Sequence, residues 1–197
     1  GIKSGDGKNE PGFLTNSGNI DVVVRNEGLD TWSESTAYAV FVSSGAVHNT
    51  SSGTLDLDVS ATNGNVYGLR GSYTTAAWKN EGKIISTVTA YGGNYENFDE
   101  NMGNGANHAC AVSIVTSSQN GLDMENSGTM DLYAVNYGQS TSYEYAMGLE
   151  LDSNATRFTN SGSIDIQALE AYTWGIYLSN LTDDAILQNS GDITILA

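Results

Sequence analysis

The sequence predicts an all-β fold, a right-handed parallel β-helix (solenoid) with about five turns of three short strands each. Three observations predict it: an irregular repeat built on an Asn-x-Gly turn, alternation of apolar and polar residues beside that turn, and the scarcity of proline. The chain has one proline and 23 glycines among its 197 residues. Because proline lacks the amide that an internal strand donates, its scarcity is typical of a long hydrogen-bonded sheet.

The first strand of each turn ends at the motif apolar-x-Asn-x-Gly-x-apolar-x-apolar, whose copies recur at intervals of 29 to 46 residues. Glycine permits the sharp change of direction between two strands. If equivalent strands stack, the asparagines form a column whose side-chain amides hydrogen-bond to one another at a corner of the core. The expected members of this structural Asn ladder are Asn16, Asn80, Asn126, Asn160 and Asn189. A degenerate copy, with two extra residues before its glycine, begins at Val47.

The second and third strands supply the other two faces of each turn. After the Asn-x-Gly turn, alternation places Ile20 and Val22 on the inward face. The third strand has a large apolar residue or cysteine, then always Ala or Gly, then Val, Leu or Ile, as in residues 38–40 and 174–176. Simple alternation puts the first and third of these positions on one face, toward the core. Cys110, which occupies the first position of its strand, is therefore expected to be buried.

A single unit of three short strands cannot bury its apolar face, whereas stacked units bury a continuous core. We therefore expect one β-helix domain over residues 13–197, preceded by a flexible lead-in at residues 1–12. The strand-like pattern at the end of the chain suggests a piece of a longer array.

The composition argues against several classes of function. The chain has 23 acidic and 7 basic residues, a net charge of −16, so nucleic acid is not an expected partner. Its single cysteine excludes an internal disulfide and a cysteine-rich zinc site. The outward carboxylate pair Asp21 and Asp56 offers fewer oxygens than the six to eight that Ca²⁺ usually takes. We expect no metal site and no cofactor, although Ca²⁺ binding to the acidic faces stays open.

Catalytic groups form no recognisable constellation. Arg, Lys and Asp do not recur together on neighbouring strands, and His48 and His108 lie in no known motif. We therefore expect a protein that is not an enzyme. A carbohydrate-active β-helix enzyme, either a polysaccharide lyase or a hydrolase, is the alternative.

Segments of variable length join the second strand to the third, all at the same corner of the predicted solenoid. Insertions in repeat proteins map to one face, which is often the binding face. Aromatic side chains outside a core are enriched where surfaces are recognised. The candidate ligand-binding residues are the aromatics of this corner: Trp32, Tyr91, Tyr95, Phe98, Tyr137, Tyr143 and Tyr172. The alternative is that these rings pack over the loops and the adjacent sheet.

The Asn-Ser-Gly-x-Ile-Asp repeat, as at residues 160–165, alternates with a Gly-Ile or Gly-Leu strand. Over residues 13–197 this pattern resembles the passenger region of bacterial autotransporter adhesins. The resemblance implies a non-enzymatic, secreted segment displayed at the cell surface of the outer membrane, attached to it only through a C-terminal barrel that this chain does not include. It also implies a glycan or protein of a host or neighbouring cell as partner, or self-association through the corner loops. A purely structural stalk is the second alternative.

Overall fold

The computed structural model describes residues 1–5, 12–27, 35–62, 64–72, 77–91, 108–116, 121–137, 144–153, 156–170, 172–181 and 185–197. Over these ranges the regular elements are β-strands, arranged in three parallel sheets of six strands each. The predicted all-β class and parallel β-helix are confirmed, with about six turns in place of five. In the described part of the chain no helix is long and apolar enough to cross a membrane.

In chain order the strands are β1 (Ile2–Ser4), β2 (Phe13–Asn16), β3 (Asn19–Asn26), β4 (Ser35–Ser43), β5 (Ala46–Asn49), β6 (Thr54–Thr62), β7 (Gly64–Ser72), β8 (Trp78–Asn80), β9 (Lys83–Tyr91), β10 (His108–Val115), β11 (Leu122–Asn126), β12 (Thr129–Asn136), β13 (Tyr145–Asp152), β14 (Thr156–Asn160), β15 (Ser163–Leu169), β16 (Tyr172–Ser179), β17 (Ile186–Asn189) and β18 (Asp192–Leu196). The first sheet, which precedes the Asn-x-Gly turns, contains β2, β5, β8, β11, β14 and β17. The second sheet contains β3, β6, β9, β12, β15 and β18, and the third contains β1, β4, β7, β10, β13 and β16.

The core consists of columns of equivalent residues from successive turns. In the second sheet the pairing register aligns Ile20, Leu55, Ile84, Met130, Ile164 and Ile193. In the third sheet it aligns Val40, Leu69, Val112, Leu149 and Ile176. These side chains lie in or against one apolar cluster that runs the length of the solenoid. Burial of such columns is the main source of stability in a stacked-repeat fold.

The N-terminal residues add a rung that the repeat pattern does not reveal. Ile2–Ser4 pairs in parallel with residues 40–42 of β4, although residues 1–12 were expected to form a flexible lead-in. Ile2 extends the Val40 column, because it provides an apolar residue at the same register position. Residues 6–11 lie outside the described ranges.

The third strand departs from simple alternation, and the face predicted for its first position was wrong. Ala39 and Val40 are consecutive, yet both belong to the main core, whereas Tyr38 packs against a separate cluster on the other side of the sheet. The physical reason is close contact between the second and third sheets. A Cβ on Gly148 would lie 2.2 Å from Cγ2 of Ile166 in the second sheet, so only a small residue fits at this inward position.

The two corners that flank the second sheet differ in their length constraints. Between first and second strands, five of the six turns have two connecting residues, and the β5–β6 turn has four. Between second and third strands the connection ranges from one residue after β6 to 16 residues after β9. The solenoid therefore combines one nearly constant corner with one variable corner.

Candidate functional site

Three of the predicted corner aromatics lie in the described residues, and all three are exposed. Tyr91 ends β9, Tyr137 directly follows β12, and Tyr172 begins β16, so they flank the corner between the second and third sheets. Their exposed fractions are 47%, 56% and 51%. The remaining candidates, Trp32, Tyr95, Phe98 and Tyr143, lie outside the described residues.

Tyr91 and Tyr137 form an ordered pair on adjacent turns. Their ring centroids are 5.7 Å apart and the ring planes differ by 14°. The backbone amide of Tyr137 donates to the carbonyl oxygen of Ala90 at 2.9 Å, which extends the parallel register to the tyrosines. Beside Tyr91, Arg25 forms an ion pair with Asp58, and this hydrogen bond raises the pKa of the guanidinium. The corner therefore presents stacked rings next to a fixed charge pair.

The outward face of the third sheet carries a second set of aromatic residues, which the sequence reasoning assigned to the interior. Tyr67, Cys110 and Met147 form its buried centre, separate from the main core. Tyr38 stacks on Tyr67 with ring centroids 5.5 Å apart. At the other end of this row, Trp174 pairs in register with Met147.

The rings around Trp174 form a continuous aromatic cluster. The centroid of Trp174 lies 4.6 Å from that of Tyr145 and 5.2 Å from that of Tyr177. Tyr145 also lies 6.4 Å from Tyr172, which joins this cluster to the corner aromatics. Trp174, Tyr145 and Tyr177 are only half-buried, so part of each residue is accessible.

A signal for this outward row was present in the sequence. The polar residues Arg70, Ser113 and Glu150 follow the first position of their strands by three residues. Strict alternation with both residues on one face would require an even separation. A separation of three residues, with Ala or Gly always between them, therefore has two explanations: the two residues lie on opposite faces, or the regular alternation of the strand is interrupted between them. In the structure the alternation is interrupted.

A polar row runs beside the aromatic row on the same outward face. Arg70 Nη1 donates to Ser113 Oγ at 3.4 Å, and Ser113 Oγ donates to Glu150 Oε2 at 2.5 Å. The Arg70 guanidinium also lies over the ring of Tyr67, 4.1 Å from its centroid, in cation–π geometry. The face thus offers rings, hydrogen-bond donors and a carboxylate within a few residues.

The potentially reactive groups of this face are arranged for packing. Burial raises the pKa of the Cys110 thiol well above its usual value, which disfavours the nucleophilic thiolate. Burial, and secondarily Arg70, lowers the pKa of His108. The His108 ring meets Tyr145 edge to face at 5.0 Å. Within the described ranges, neither group has the base or acid partner of a nucleophilic site.

The acidic outward faces are partly neutralised by ion pairs between turns. Asp21 pairs in register with Asp56, as the repeat predicts. Lys79 Nζ lies 2.8 Å from Glu125 Oε2, and Lys83 Nζ lies 2.9 Å from Asp131 Oδ2. Among residues that the structure describes, no group of three or more His, Cys, Asp or Glu side chains could hold a metal ion.

The asparagines of the turns form a continuous hydrogen-bonded ladder of six members. Each Nδ2 donates to the Oδ1 of the next asparagine, at 2.9 Å from Asn16 to Asn49, 2.9 Å from Asn49 to Asn80 and 2.8 Å from Asn80 to Asn126. The ladder continues with bonds of 2.7 Å from Asn126 to Asn160 and 2.7 Å from Asn160 to Asn189. Asn49 of the degenerate copy occupies a full position, although it was not among the five expected members. The ladder satisfies buried amides and leaves little capacity for a ligand.

No protein-family model, no curated protein and no solved structure matches this chain, so the functional proposals rest on the geometry of its own residues.

Proposed function

We propose that this chain is a non-enzymatic, ligand-binding segment of a secreted, surface-exposed bacterial protein of the adhesin type. The observation that carries the proposal is the set of exposed tyrosines, Tyr91, Tyr137 and Tyr172, at one corner of a rigid solenoid. Its ligand is a glycan or protein of a host or neighbouring cell.

The physical argument rests on preorganisation. A tyrosine has few side-chain rotations to lose and offers both a large apolar surface and a hydroxyl group, which makes it efficient in recognition. Stacking holds Tyr91 and Tyr137 in one orientation before any ligand arrives. The strands next to these residues are held by parallel hydrogen-bond ladders. Binding therefore requires little further ordering of the backbone or of these side chains, and the free-energy cost of that ordering is small.

A carbohydrate-active enzyme is the second candidate, favoured by one observation. Glu150 and Asp152 lie two residues apart on β13, and both are half-exposed. Glycoside hydrolysis commonly uses a pair of carboxyl groups. However, Glu150 already accepts a hydrogen bond from Ser113, and Asp152 accepts one from Asn180 at 2.6 Å. Release of reducing sugar ends from polysaccharides, lost in a Glu150→Gln variant, would support the enzyme over the adhesin.

The corner is tested by binding of the purified chain to cells and to arrays of glycans and surface proteins. A variant with Tyr91→Ser, Tyr137→Ser and Tyr172→Ser should lose at least about tenfold in affinity, because hot spots are dominated by such aromatic contacts. The matched control is Tyr133→Ser, which removes a half-buried outward ring from the second sheet, away from the corner. Equal binding by the triple variant and the wild type, with melting temperatures unchanged, would refute the proposal.

A further inference from the structure

We propose that the outward face of the third sheet around Trp174 is a binding site for an uncharged oligosaccharide. This inference deepens the proposed function and rests on it. It assigns the ligand to a chemical class and places the principal contacts on Trp174, Tyr145, Tyr177 and Glu150, which lie beyond the predicted corner set.

The aromatic cluster has the shape of a platform for a sugar ring. Trp174 lies between Tyr145 and Tyr177, with interplanar angles of 38° and 42°. The three rings are therefore tilted against one another and do not form a flat stack. Aromatic faces carry partial negative charge, and the C–H groups on one side of a pyranose ring carry partial positive charge, so the two surfaces attract when stacked.

Hydrogen-bonding groups lie beside this platform. Glu150 pairs in register with Tyr177, on the strand next to its own. One carboxylate oxygen of the half-exposed Glu150 accepts from Ser113, and in the proposed complex a sugar hydroxyl donates to the second oxygen. The Tyr177 and Tyr172 hydroxyls add groups that can both donate and accept. An apolar peptide would leave these polar groups desolvated and unpaired, whereas a saccharide satisfies them.

The spacing favours an oligomer over a single sugar. Aromatic residues occupy the adjacent strands β13 and β16, which are about 4.8 Å apart. That distance is close to the length of one pyranose unit. Tyr172 continues the aromatic surface toward the corner, 51% exposed. Successive units of a linear saccharide could therefore contact successive parts of the surface.

Electrostatics restricts the sugar to the uncharged class. The chain has a net charge of −16, and the site contains Glu150 with Asp152 on the same strand. Arg70, a cation of this face, already lies over the Tyr67 ring and donates to Ser113. Sialylated, sulfated or uronic-acid saccharides would be repelled on approach and would also place a second anion near Glu150. Neutral hexoses and N-acetylhexosamines carry no such penalty.

The test is an array of neutral oligosaccharides printed beside sialylated and sulfated counterparts, followed by calorimetric titration of the best neutral binder. Trp174→Ala should weaken binding at least about tenfold, Trp174→Phe should retain part of it, and Glu150→Gln should weaken it by a smaller factor. Binding should change little between low and high NaCl, because no net charge pairing is involved. Tyr133→Ala is the matched control, and melting temperatures verify folding of every variant.

The outcomes separate this inference from the function on which it rests. Binding of a neutral glycan that is lost in Trp174→Ala but retained in Tyr133→Ala supports both. A ligand that is lost with Tyr91 and Tyr137 but binds the Trp174→Ala variant normally overturns the glycan site and leaves the adhesin proposal standing. A preference for anionic glycans, or for a second copy of the chain, overturns the inference as well. A ligand whose affinity changes neither in the corner-tyrosine variant nor in Trp174→Ala overturns both proposals.

Discussion

Replacing Asn126 by alanine removes two hydrogen bonds from the middle of the Asn ladder. Asn126 accepts from Asn80 Nδ2 at 2.8 Å and donates to Asn160 Oδ1 at 2.7 Å. In the variant, Asn80 Nδ2 retains the Thr129 carbonyl oxygen at 3.1 Å. Asn160 Oδ1 loses its ladder donor, and Asn160 is fully buried.

The expected cost follows from these contacts. Each intramolecular hydrogen bond contributes about 1 kcal/mol net, and a buried polar atom left unsatisfied costs about 1–3 kcal/mol. Two lost ladder bonds and one stranded acceptor therefore give a loss of about 3–5 kcal/mol in the free energy of unfolding. The longer bonds from Asn126 Nδ2 to the carbonyl oxygens of Gly128 and Ser163, both 3.4 Å, add little to this loss. Asn189 provides a matched comparison, because it is exposed and only accepts from Asn160 within the ladder. Asn189→Ala should cost about 1 kcal/mol or less.

Urea unfolding followed by circular dichroism measures both variants. Similar losses for Asn126→Ala and Asn189→Ala, or a loss below about 1 kcal/mol for the inner position, would refute the argument that satisfied amides hold this corner.

Asn126→Asp tests the direction of the ladder with the side-chain shape preserved. An ionised carboxylate accepts from Asn80 but cannot donate to Asn160, whereas the protonated carboxyl can donate. Burial raises the pKa of such a carboxyl group. The stability deficit of Asn126→Asp relative to wild type should therefore shrink as the pH falls through that raised pKa and grow as the pH rises. A deficit independent of pH would contradict this account.

Three further predictions concern the packed faces. Gly148→Ala should lower the free energy of unfolding by about 1–3 kcal/mol, since its Cβ would lie 2.2 Å from Ile166 Cγ2; Gly18→Ala, with no atom within 4 Å of the added Cβ, should change it by less than about 1 kcal/mol. Because burial lowers the pKa of folded His108 below its ordinary value of 6.5, the unfolded chain binds the proton more readily, and the unfolding free energy should fall as the pH drops from about 7 to 5. A pH titration of chemical denaturation in which His108→Gln leaves this slope unchanged would contradict that assignment. Because Cys110 is fully buried and its thiol pKa is raised, it should react with a thiol reagent only when the protein unfolds. Rapid labelling of the native protein would show that solvent reaches the cluster of Tyr67, Cys110 and Met147.

The parts of the fold that depend on periodicity could be predicted from sequence. The Asn-x-Gly motif and the alternation after it determine which residues stack, and the register of Ile20 with Leu55 follows directly. The short β1 could not be found in this way, because three residues contain no repeat motif. Asn49 was undervalued because two extra residues precede its glycine, yet its side chain retains the ladder geometry.

The third-strand aromatics show where periodicity alone fails. An aromatic residue in a repeat is ordinarily assigned to the core, and strict alternation agreed with that assignment for Trp174. The outcome depends instead on how closely two sheets approach at Gly175, where an added Cβ would lie 2.3 Å from Ile195 Cγ2. Such inter-sheet distances are three-dimensional quantities that one strand's sequence does not contain. The corner tyrosines could be located, because a variable insertion length is visible in the sequence itself.

The contrast between the two corners separates what holds the molecule together from what can vary. The Asn-x-Gly corner keeps its two-residue length in five of six turns, while the opposite corner accepts connections of one to 16 residues. The entropic cost of closing a loop grows only slowly with its length. New segments can therefore be exchanged at the variable corner, by natural recombination or by design, without disturbing the asparagine column on the far side of the second sheet. The length and sequence of one corner can therefore change while the column of buried amides that stabilises the other corner stays the same.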